Sequence, residues 1–566
     1  MLLKKHWRHK AMNLKLLVCI ALISVTSCAE GRHPADLIIY NGPIFSANDK
    51  HDFYRTIVIS DGIIIAAGSD DLLEKYKADQ TINLEGRLAL PGFNDAHTHL
   101  RGRPDRWINL SETKSITALQ NLVRQKAEAL GPGAWITGYG WSEDRLEDGR
   151  KPSRLDLDAV APNNPVFLTR EGGHSGVANS LALEIAALSA ASPNPDGGVL
   201  ERFDDGALSG IIRERRDLIN RHIPDGNPAE IKADLEQRLG DQFRLGITSL
   251  TDASTSISDY REIWSAVYEQ SRSPLPRATV QINSGFGNLS AADAFAQLTE
   301  FGLQTGDGDE QLKVGPLKVF VDGGFTGPAA WTREPYKDDP DYFGSLSVSL
   351  DELAVLADEA HEAGWQLGFH TIGDAAIEET VDIFSRILER APRVDHRHYL
   401  NHFTVMPTGP TMKLMADHGI GIIQQPNFTY SLEGRYTAYL SGPRLAHNNS
   451  IATPIGYGIK MAFSSDIIPM GPLVGVYAAV TRKGESGTVY SPEERIGVLE
   501  ALRMYTAGGA YFTFEDHKKG QISLGMMADI VILDRDITGT RPKQILDAQV
   551  DITILNGEVV YERGVD

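Results

Sequence analysis

Short apolar runs alternate with longer amphipathic stretches through the middle of the chain. Most of the amphipathic stretches have the length of a helix, as at residues 349–363 and 374–390. Eight alternating strand and helix units favour a (β/α)8 TIM-like barrel over an open doubly wound sheet. The eight runs that predict buried parallel strands are 88–96, 247–253, 277–282, 317–322, 365–370, 398–402, 420–425 and 460–465.

Two segments at opposite ends of the chain share a pattern of strand, Asn-Gly and strand, at Asn41-Gly42 and at Asn556-Gly557. Asn-Gly supplies the two residues with positive φ that a type I′ turn requires, so both segments predict hairpins. Further strand-like runs lie near them, at 56–60, 63–67 and 529–533. We therefore expect residues 35–90 and 520–566 to form one small composite β-sandwich domain.

The remaining residues, 91–519, are expected to form the barrel domain. One spacer within it, at about residues 101–246, is far longer than connections within a domain usually are. It contains strand-like runs of its own, at 135–141 and 166–170. This spacer predicts an insertion over the mouth of the barrel.

Composition narrows the class of protein. Of the 566 residues, 42% are hydrophobic and 8% aromatic, which is enough for the large core of a globular protein. The formal net charge of −20 excludes nucleic acid as an expected partner, because phosphate binding requires a positive surface. Both cysteines, Cys19 and Cys28, lie at the N-terminus, so any metal in the folded body must have nitrogen and oxygen ligands. The sequence leaves the oligomeric state open.

The N-terminus has the pattern of an export signal. A basic region precedes the apolar run 16–25, which is shorter than the ~20 residues that span a bilayer. The run ends in Val25-Thr-Ser-Cys28, which resembles the lipobox of bacterial lipoproteins. We expect residues 1–27 to be a lipoprotein-type signal peptide, starting at Met1 or Met12, and Cys28 to carry the lipid. The protein would then be anchored on the periplasmic side of a bacterial envelope, with the lipid as its only membrane contact. An ordinary secretory signal, giving a periplasmic or secreted protein, is the alternative.

Polar residues fall where the predicted strands end. Barrel enzymes carry their chemistry at the carboxyl ends of the strands, so these side chains should converge on one mouth. A single histidine is more often a surface or core residue, but several at successive strand ends favour metal ligands. The candidate ligands are His97, His99, Lys318, His370, His402 and Asp466.

Two of these patterns carry specific chemistry. His97 and His99 are two residues apart on a strand, so both imidazoles lie on the same face and can bind one metal. Lys318 interrupts an apolar run, where a buried ammonium group is unfavourable. Burial and a nearby metal charge would deprotonate its amine, which could then add carbon dioxide and become a carbamate that bridges two metals. An ion pair of Lys318 with Asp322, Asp252 or Asp95 is the alternative.

Five segments together resemble the amidohydrolase superfamily, specifically amidohydrolase family 3, whose members are similar to N-substituted formamide deformylase. They are LPGFNDAHTH (90–99), GGHSGVANS (172–180), LKVFVDGG (317–324), GFHTIGDAA (368–376) and FSSD (463–466). The resemblance implies a barrel with a composite β-domain and a site for two divalent metal ions, usually zinc. The implied ligands are His97, His99 and Asp466 for the first ion, His370 and His402 for the second, and carboxylated Lys318 as the bridge. One departure is Asn401, where relatives often carry Glu.

The implied reaction is hydrolysis of a C–N bond, in an amide or cyclic amide of a small molecule, by metal-activated hydroxide. Two metals lower the pKa of a bound water from about 15.7 to roughly 7. Asp466 would act as general base and then as general acid. His174 would help to polarise the carbonyl, or would alternatively brace its glycine-rich loop.

Four further residues are expected to line the substrate pocket: Trp141, Arg213, Gln425 and Asn427. Arg213 belongs to an Arg-Glu-Arg-Arg run, which is equally typical of a solvated helix face.

Three other functions fit part of this pattern. A one-metal deaminase commonly has Glu three residues after the fifth-strand histidine, where this chain has Gly373, and needs no lysine on the fourth strand. A lactonase or a phosphotriesterase-like hydrolase would use the same ligand types and remains open. A lipoprotein that binds a ligand without turnover would not need all six ligands, which are also too many for one tetrahedral zinc.

Overall fold

Eight parallel strands carry the residues singled out above. In the computed structural model they form two four-stranded sheets, with the strands of each sheet in chain order. The model describes residues 32–565 except 144, 172, 174, 196–197, 326 and 467–470. Isolated parallel bridges, Leu317 to Leu367 and Thr98 to Asp466, connect the edges of the two sheets. The strands are β1 (Phe93–Thr98), β2 (Ile247–Ser256), β3 (Arg277–Asn283), β4 (Leu312–Lys318), β5 (Gly368–Thr371), β6 (Tyr399–His402), β7 (Gly421–Gln424) and β8 (Met461–Phe463).

Amphipathic helices separate most of these strands and cover them. The helix Leu350–Glu362 buries Leu353, Leu356, Ala357 and Ala360, the spacing of one helical face. Because the strands are covered in this way, they are buried along nearly their whole length, as parallel strands usually are. The described helices of ten residues or more are Ile116–Leu130, Pro228–Asp241, Ala291–Phe301, Leu350–Glu362, Asp374–Arg390, Gly409–His418 and Pro472–Thr481.

The fourth strand differs from the prediction. It runs from Leu312 to Lys318 instead of over 317–322, so Lys318 is its last residue. The strand contains Gly315 and Pro316. The register of its pairing with β3 changes once, between Val314 and Leu317, which flank these two residues. Proline cannot donate to the strand ladder and is tolerated at such an irregularity. The shift places Lys318 at the carboxyl end of the strand.

Both ends of the chain contribute to a third sheet. Its strands follow the order Glu558–Glu562, Val550–Leu555, Ile530–Leu533, Ala89–Pro91, His33–Phe45, Phe53–Ser60 and Ile63–Gly68, with Tyr76–Asn83 also pairing with His33–Phe45.

Only one of the two predicted hairpins forms. Asn556 and Gly557 have φ of 53° and 81° and turn the chain between two antiparallel strands, which confirms that prediction. The prediction at Asn41-Gly42 is wrong. Asn41, with φ of 63°, lies within the single strand His33–Phe45, at a bulge in its pairing with Phe53–Ser60.

The long spacer forms a separate six-stranded sheet with its own hydrophobic core. Its strands, in chain order, are Trp107–Asn109, Ile136–Trp141, Val166–Arg170, Ser175–Ala178, Val199–Arg202 and Leu208–Arg213. Across the described part of the chain, no helix combines the length and apolarity needed to cross a membrane.

Buried ion pairs lie at the amino ends of the parallel strands. Arg277, the first residue of β3, pairs with Asp529, and their side chains are only 3% and 4% exposed. Glu515 accepts from Lys313 of β4 at 2.5 Å and pairs with Lys519 at 2.8 Å. These pairs join the parallel strands to the segment that leads into the C-terminal strands.

Candidate metal centre

The six predicted ligands converge at the carboxyl ends of β1, β4, β5, β6 and β8. The ring centroid of His97 lies 5.2 Å from that of His99 and 4.9 Å from that of His402. The ring of His370 lies 4.3 Å from that of His402. Residues separated by more than 300 positions therefore meet because parallel strands end at the same side of a sheet.

Three of these side chains form a compact donor set. One ligand atom each from His97, His402 and Asp466 lies within 4.8 Å of the other two. The Nε2 atom of His99 lies 3.5 Å from Asp466 Oδ1. In this set, His97 was assigned to the first ion and His402 to the second. The division of ligands between two ions therefore stays a prediction.

The donors fit a metal ion. His97 Nε2, His370 Nε2 and Lys318 Nζ are buried and have no hydrogen-bond partner among the described residues. Buried polar atoms without partners are rare, because losing contact with water without a replacement is unfavourable. Histidine nitrogens with a carboxylate oxygen are a typical ligand set for zinc.

Lys318 has no ion-pair partner among the described residues. Its side chain is 1% exposed, and its Nζ lies 4.6 Å from the ring centroid of Phe320. The three carboxylates that could have neutralised it bind other groups instead. Asp252 accepts from Thr255 Oγ1, Asp95 from the backbone of Ser465, and Asp322 from the backbone of Trp331, Ile372 and Gly373.

Burial controls the protonation of the cluster. It lowers the pKa of Lys318, against the opposing effect of the Asp466 charge. It raises the pKa of Asp466, against the opposing effect of Lys318. Burial, together with the Lys318 charge, also lowers the pKa of His402 to about 3 and that of His97 well below its ordinary value. The histidines are therefore neutral at pH 7, the form in which imidazole binds metals.

Two of the candidate ligands have an unusual backbone. His402 has φ of 82° and Asp466 has φ of 58°, in a region that residues other than glycine seldom adopt. Strained residues of this kind concentrate at functional sites, where the surrounding structure holds them in place. Asp95 contributes to this support, since its Oδ1 accepts from the backbone N–H groups of His97 and Ser465 and so joins β1 to the end of β8.

Two buried amides contact the Nδ1 atoms of two candidate ligand histidines. Asn401 Oδ1 lies 2.7 Å from His97 Nδ1, and Gln425 Oε1 lies 2.7 Å from His402 Nδ1. Gln425, predicted to line the substrate pocket, is fully buried and contacts His402, a candidate ligand. Asn401 was noted only as a departure from the family pattern. The signal that could have identified it is an amide on a buried strand directly before a ligand histidine.

The structure separates the other predicted pocket residues. Trp141 is fully buried in the core of the inserted sheet, where its Nε1 donates to Leu168 O, so its packing opposes a pocket-lining role. Arg213 is exposed on the last strand of that sheet and lies 3.3 Å from Glu201, which supports the surface interpretation. Asn427 is buried beside the centre and donates to Ser465 O. His174 lies outside the described residues.

A cavity of about 560 Å³ lies at the ends of β2 and β3, and its lining includes none of the six candidate ligands. Its lining includes Arg101, two residues after His99, and Asn283, which pairs in register with Lys318. Ser254 and Ser284 add hydroxyl groups to the same wall. The lining is mostly polar, and none of the four predicted pocket residues belongs to it.

Comparisons with known proteins agree with this centre. Residues 80–561 match the model of the amidohydrolase family. The chain is 29% identical over 542 residues to the protein YtcJ of Bacillus subtilis (strain 168), covering 93% of this chain and 99% of that protein. It is 26% identical over 547 residues to N-substituted formamide deformylase of Arthrobacter pascens, covering 93% and 98%.

Solved structures show the same fold. An uncharacterised metal-dependent hydrolase from Pyrococcus horikoshii OT3 matches with a TM-score of 0.70 and 24% identity, covering 90% of this chain and 99% of that one. An uncharacterised metal-dependent hydrolase from Pyrococcus furiosus matches with a TM-score of 0.67 and 26% identity, covering 88% and 99%.

The chain thus has a TIM-barrel-type α/β fold and a buried histidine and carboxylate centre suited to a metal. It belongs to the amidohydrolase family of metal-dependent hydrolases.

Proposed function

We propose that the protein hydrolyses a C–N bond, in an amide or cyclic amide of a small molecule, with two divalent metal ions, zinc in the first instance. The observation that carries this proposal is the donor set of His97, His402 and Asp466, within 4.8 Å. His97 Nε2, Lys318 Nζ and His370 Nε2 are buried and have no hydrogen-bond partner among the described residues. The similarity to N-substituted formamide deformylase over 93% of the chain supports a C–N bond as the target. The polar cavity at the ends of β2 and β3 is large enough for a small polar substrate.

In this proposal the ligands divide between the two ions as the family resemblance implies. His97, His99 and Asp466 would hold one ion, His370 and His402 would hold the other, and Lys318, as a carbamate, would be the ligand that both ions share. The carbamate forms when the neutral amine attacks carbon dioxide, which makes an N–C bond and releases a proton. The burial that lowers the pKa of Lys318 favours the neutral amine this step needs.

The bound ions would supply Lewis-acid activation of water and of the substrate carbonyl. Asp466 takes the proton from the attacking water on a carboxylate oxygen and passes it to the leaving nitrogen. The burial that raises the pKa of Asp466 makes it a stronger base than an exposed aspartate. We assign His174 the role of donating to the substrate carbonyl.

The test is a substrate panel applied to the full chain loaded with zinc. N-acyl amino acids, formamides, cyclic amides, lactones and phosphotriesters would be compared by kcat/KM, with bound metal measured by elemental analysis. The proposal expects two ions per chain and turnover confined to the amides. Preferred turnover of lactones or phosphotriesters would reassign the reaction, and zinc binding without any turnover would favour a binding protein. A single ion that gives full activity would overturn the two-ion centre.

We further propose that β1 to β8 close into a (β/α)8 barrel and that the sheet shared by both chain ends is a composite β-domain. The edge bridges Leu317 to Leu367 and Thr98 to Asp466 support closure.

We also propose export and a lipid anchor at Cys28, which lies outside the described residues. Replacing Cys28 by Ser should release active protein from the membrane fraction, and a wild type that is already soluble would indicate plain secretion.

A further inference from the structure

Two histidines of the centre are held by neutral amides whose orientation is determined by their other hydrogen bonds. Asn401 Nδ2 lies 3.0 Å from Gly368 O. A carbonyl oxygen can only accept, so the atom of Asn401 facing it must be the nitrogen, and the oxygen must face His97. The 2.7 Å contact is therefore His97 Nδ1–H donating to Asn401 Oδ1.

The same reasoning applies to Gln425. Its Nε2 lies 3.2 Å from Ile423 O and 2.9 Å from Ser464 Oγ, so its oxygen faces His402. His402 Nδ1–H then donates to Gln425 Oε1 at 2.7 Å. Each histidine carries its proton on Nδ1, and its Nε2 keeps the lone pair that a metal requires.

Both amides are built into the fold. Asn401 and Gln425 are fully buried, and each bonds to the backbone of a strand, β5 for Asn401 and β7 for Gln425. The unpartnered atom on His97 is Nε2, on the ring edge opposite Asn401. Partners at this position commonly are carboxylates, which raise the basicity of the histidine, whereas an amide orients the ring without adding charge.

Resting on the proposed function, we infer that Asn401 and Gln425 are positioning residues that hold His97 and His402 in the metal-binding tautomer, and that their neutrality limits the affinity of the centre. The amides act through the histidines and not on the substrate. The two amides thus fix the ring orientation of His97 and His402, and they add no negative charge, whereas a pair of carboxylates would.

The experiment compares two substitutions at each position. Asn401→Leu and Gln425→Leu remove the acceptor, whereas Asn401→Asp and Gln425→Glu keep the acceptor, add charge and lose the donor to the backbone. Zinc affinity would be measured by competition with a chromophoric chelator, and the ligand field by the visible absorption of the cobalt(II)-loaded full chain. Gln366→Leu is the matched control, because Gln366 is a buried amide whose side chain donates to Arg397 O and Phe512 O and, among the described residues, makes no hydrogen bond to a histidine.

We expect the leucine variants to lose about 10- to 100-fold in zinc affinity, the usual effect of removing such a partner. The acidic variants should bind zinc at least as tightly as the wild type, with an altered cobalt spectrum. Gln366→Leu should lower the unfolding temperature without changing zinc affinity.

Two other results would overturn the inference. If the leucine variants bind zinc as tightly as the wild type, the amides do not position the ligands. If the leucine and acidic variants lose affinity equally and in proportion to their stability, the amides are braces between strands. A wild type that fails to bind zinc would instead refute the proposed metal centre, so the two failures are distinguishable.

Discussion

Lys318 and Lys519 are both buried lysines, but their surroundings differ. Lys519 lies 2.8 Å from Glu515, whereas Lys318 Nζ has no partner among the described residues and lies beside the histidine cluster. A buried ammonium without a partner is unfavourable, so the site favours a neutral amine or its carbamate.

Replacing Lys318 by Ala should therefore abolish turnover and lower the bound metal, and short carboxylic acids should restore part of both by taking the place of the carbamate. Turnover and elemental analysis, with and without added acetate, would measure this. Lys519→Met is the control, which should lower stability and leave the metal content unchanged. Normal turnover of Lys318→Ala would mean that the lysine is only a buried structural residue.

Asp466 combines a strained backbone with contact to two histidines, at 3.5 Å from His99 and 4.0 Å from His402. Asp466→Asn keeps an oxygen near the metal but removes the basic carboxylate. We expect metal content to fall modestly and kcat to drop by about 10²–10⁴-fold, the usual scale for positioned acid–base catalysis.

The pH–rate profile of Asp466→Asn should also lose its acidic limb, since that limb reports a group that must be deprotonated. Asp252→Asn, at a buried carboxylate that binds Thr255, serves as the control and should keep the wild-type profile. Near wild-type turnover of Asp466→Asn with a full metal complement would exclude it as the base.

At the scale of elements, the order of the strands and the residues at their carboxyl ends were predictable from the sequence. Apolar runs and polar residues at their ends mark both features directly. The register of β4 was not predictable, because 317–322 is more apolar than the strand that forms, which contains Gly315 and Pro316. Asn41-Gly42 misled because Asn-Gly suits a bulge as well as a turn, and here Asn41 alone takes a positive φ, at a bulge within one strand. The role of Gln425 depends on a tertiary contact that no local pattern reports.

The segment after β8 is held to the parallel strands by the buried carboxylate of Glu515. Burial alone would raise its pKa, but the charges of Lys519 and Lys313 outweigh burial and lower the pKa from its ordinary 4.5 to about 2. Because the folded-state pKa is the lower one, the stabilisation is complete above pH 4.5 and is lost as the pH falls towards 2.

Replacing Glu515 by Gln should lower the free energy of unfolding at pH 7 by about 3–5 kcal/mol, because the buried Lys519 and the partly buried Lys313 lose their partner. Denaturant unfolding of both proteins should show this difference shrinking below pH 4.5. Glu310→Gln is the control, since Glu310 is 54% exposed in its pair with Lys518 and should contribute no more than about 1 kcal/mol. A difference that stays constant with pH would exclude the charge interaction as its cause.

At the scale of the whole molecule, the Arg277–Asp529 pair connects β3 to the sheet formed by both chain ends. Arg277 donates to Asp529 at 2.8 and 3.2 Å, and Asp529 also accepts from the backbone of Asn556. Arg277→Met should destabilise the protein by about 3–5 kcal/mol, because it leaves a buried carboxylate uncompensated.

The double variant Arg277→Met/Asp529→Asn removes that charge and keeps the acceptor for Asn556, so it should recover most of the loss. Calorimetry of the two single variants and the double variant forms a mutant cycle that measures the coupling. Additive losses would show that the pair does not couple the two parts of the molecule.

The sheet that draws strands from both ends also sets the timing of folding during synthesis. Ala89–Pro91 pairs with Ile530–Leu533, so the ribosome must add about 440 residues before the partner exists, which takes roughly 20–90 s at ordinary elongation rates. Until then the nascent chain presents an open strand edge, the kind of surface that chaperones cover and that aggregates form upon. A chain released before its last forty residues would keep that edge permanently. The architecture thus makes synthesis of residues 530–533 a condition for covering this strand edge.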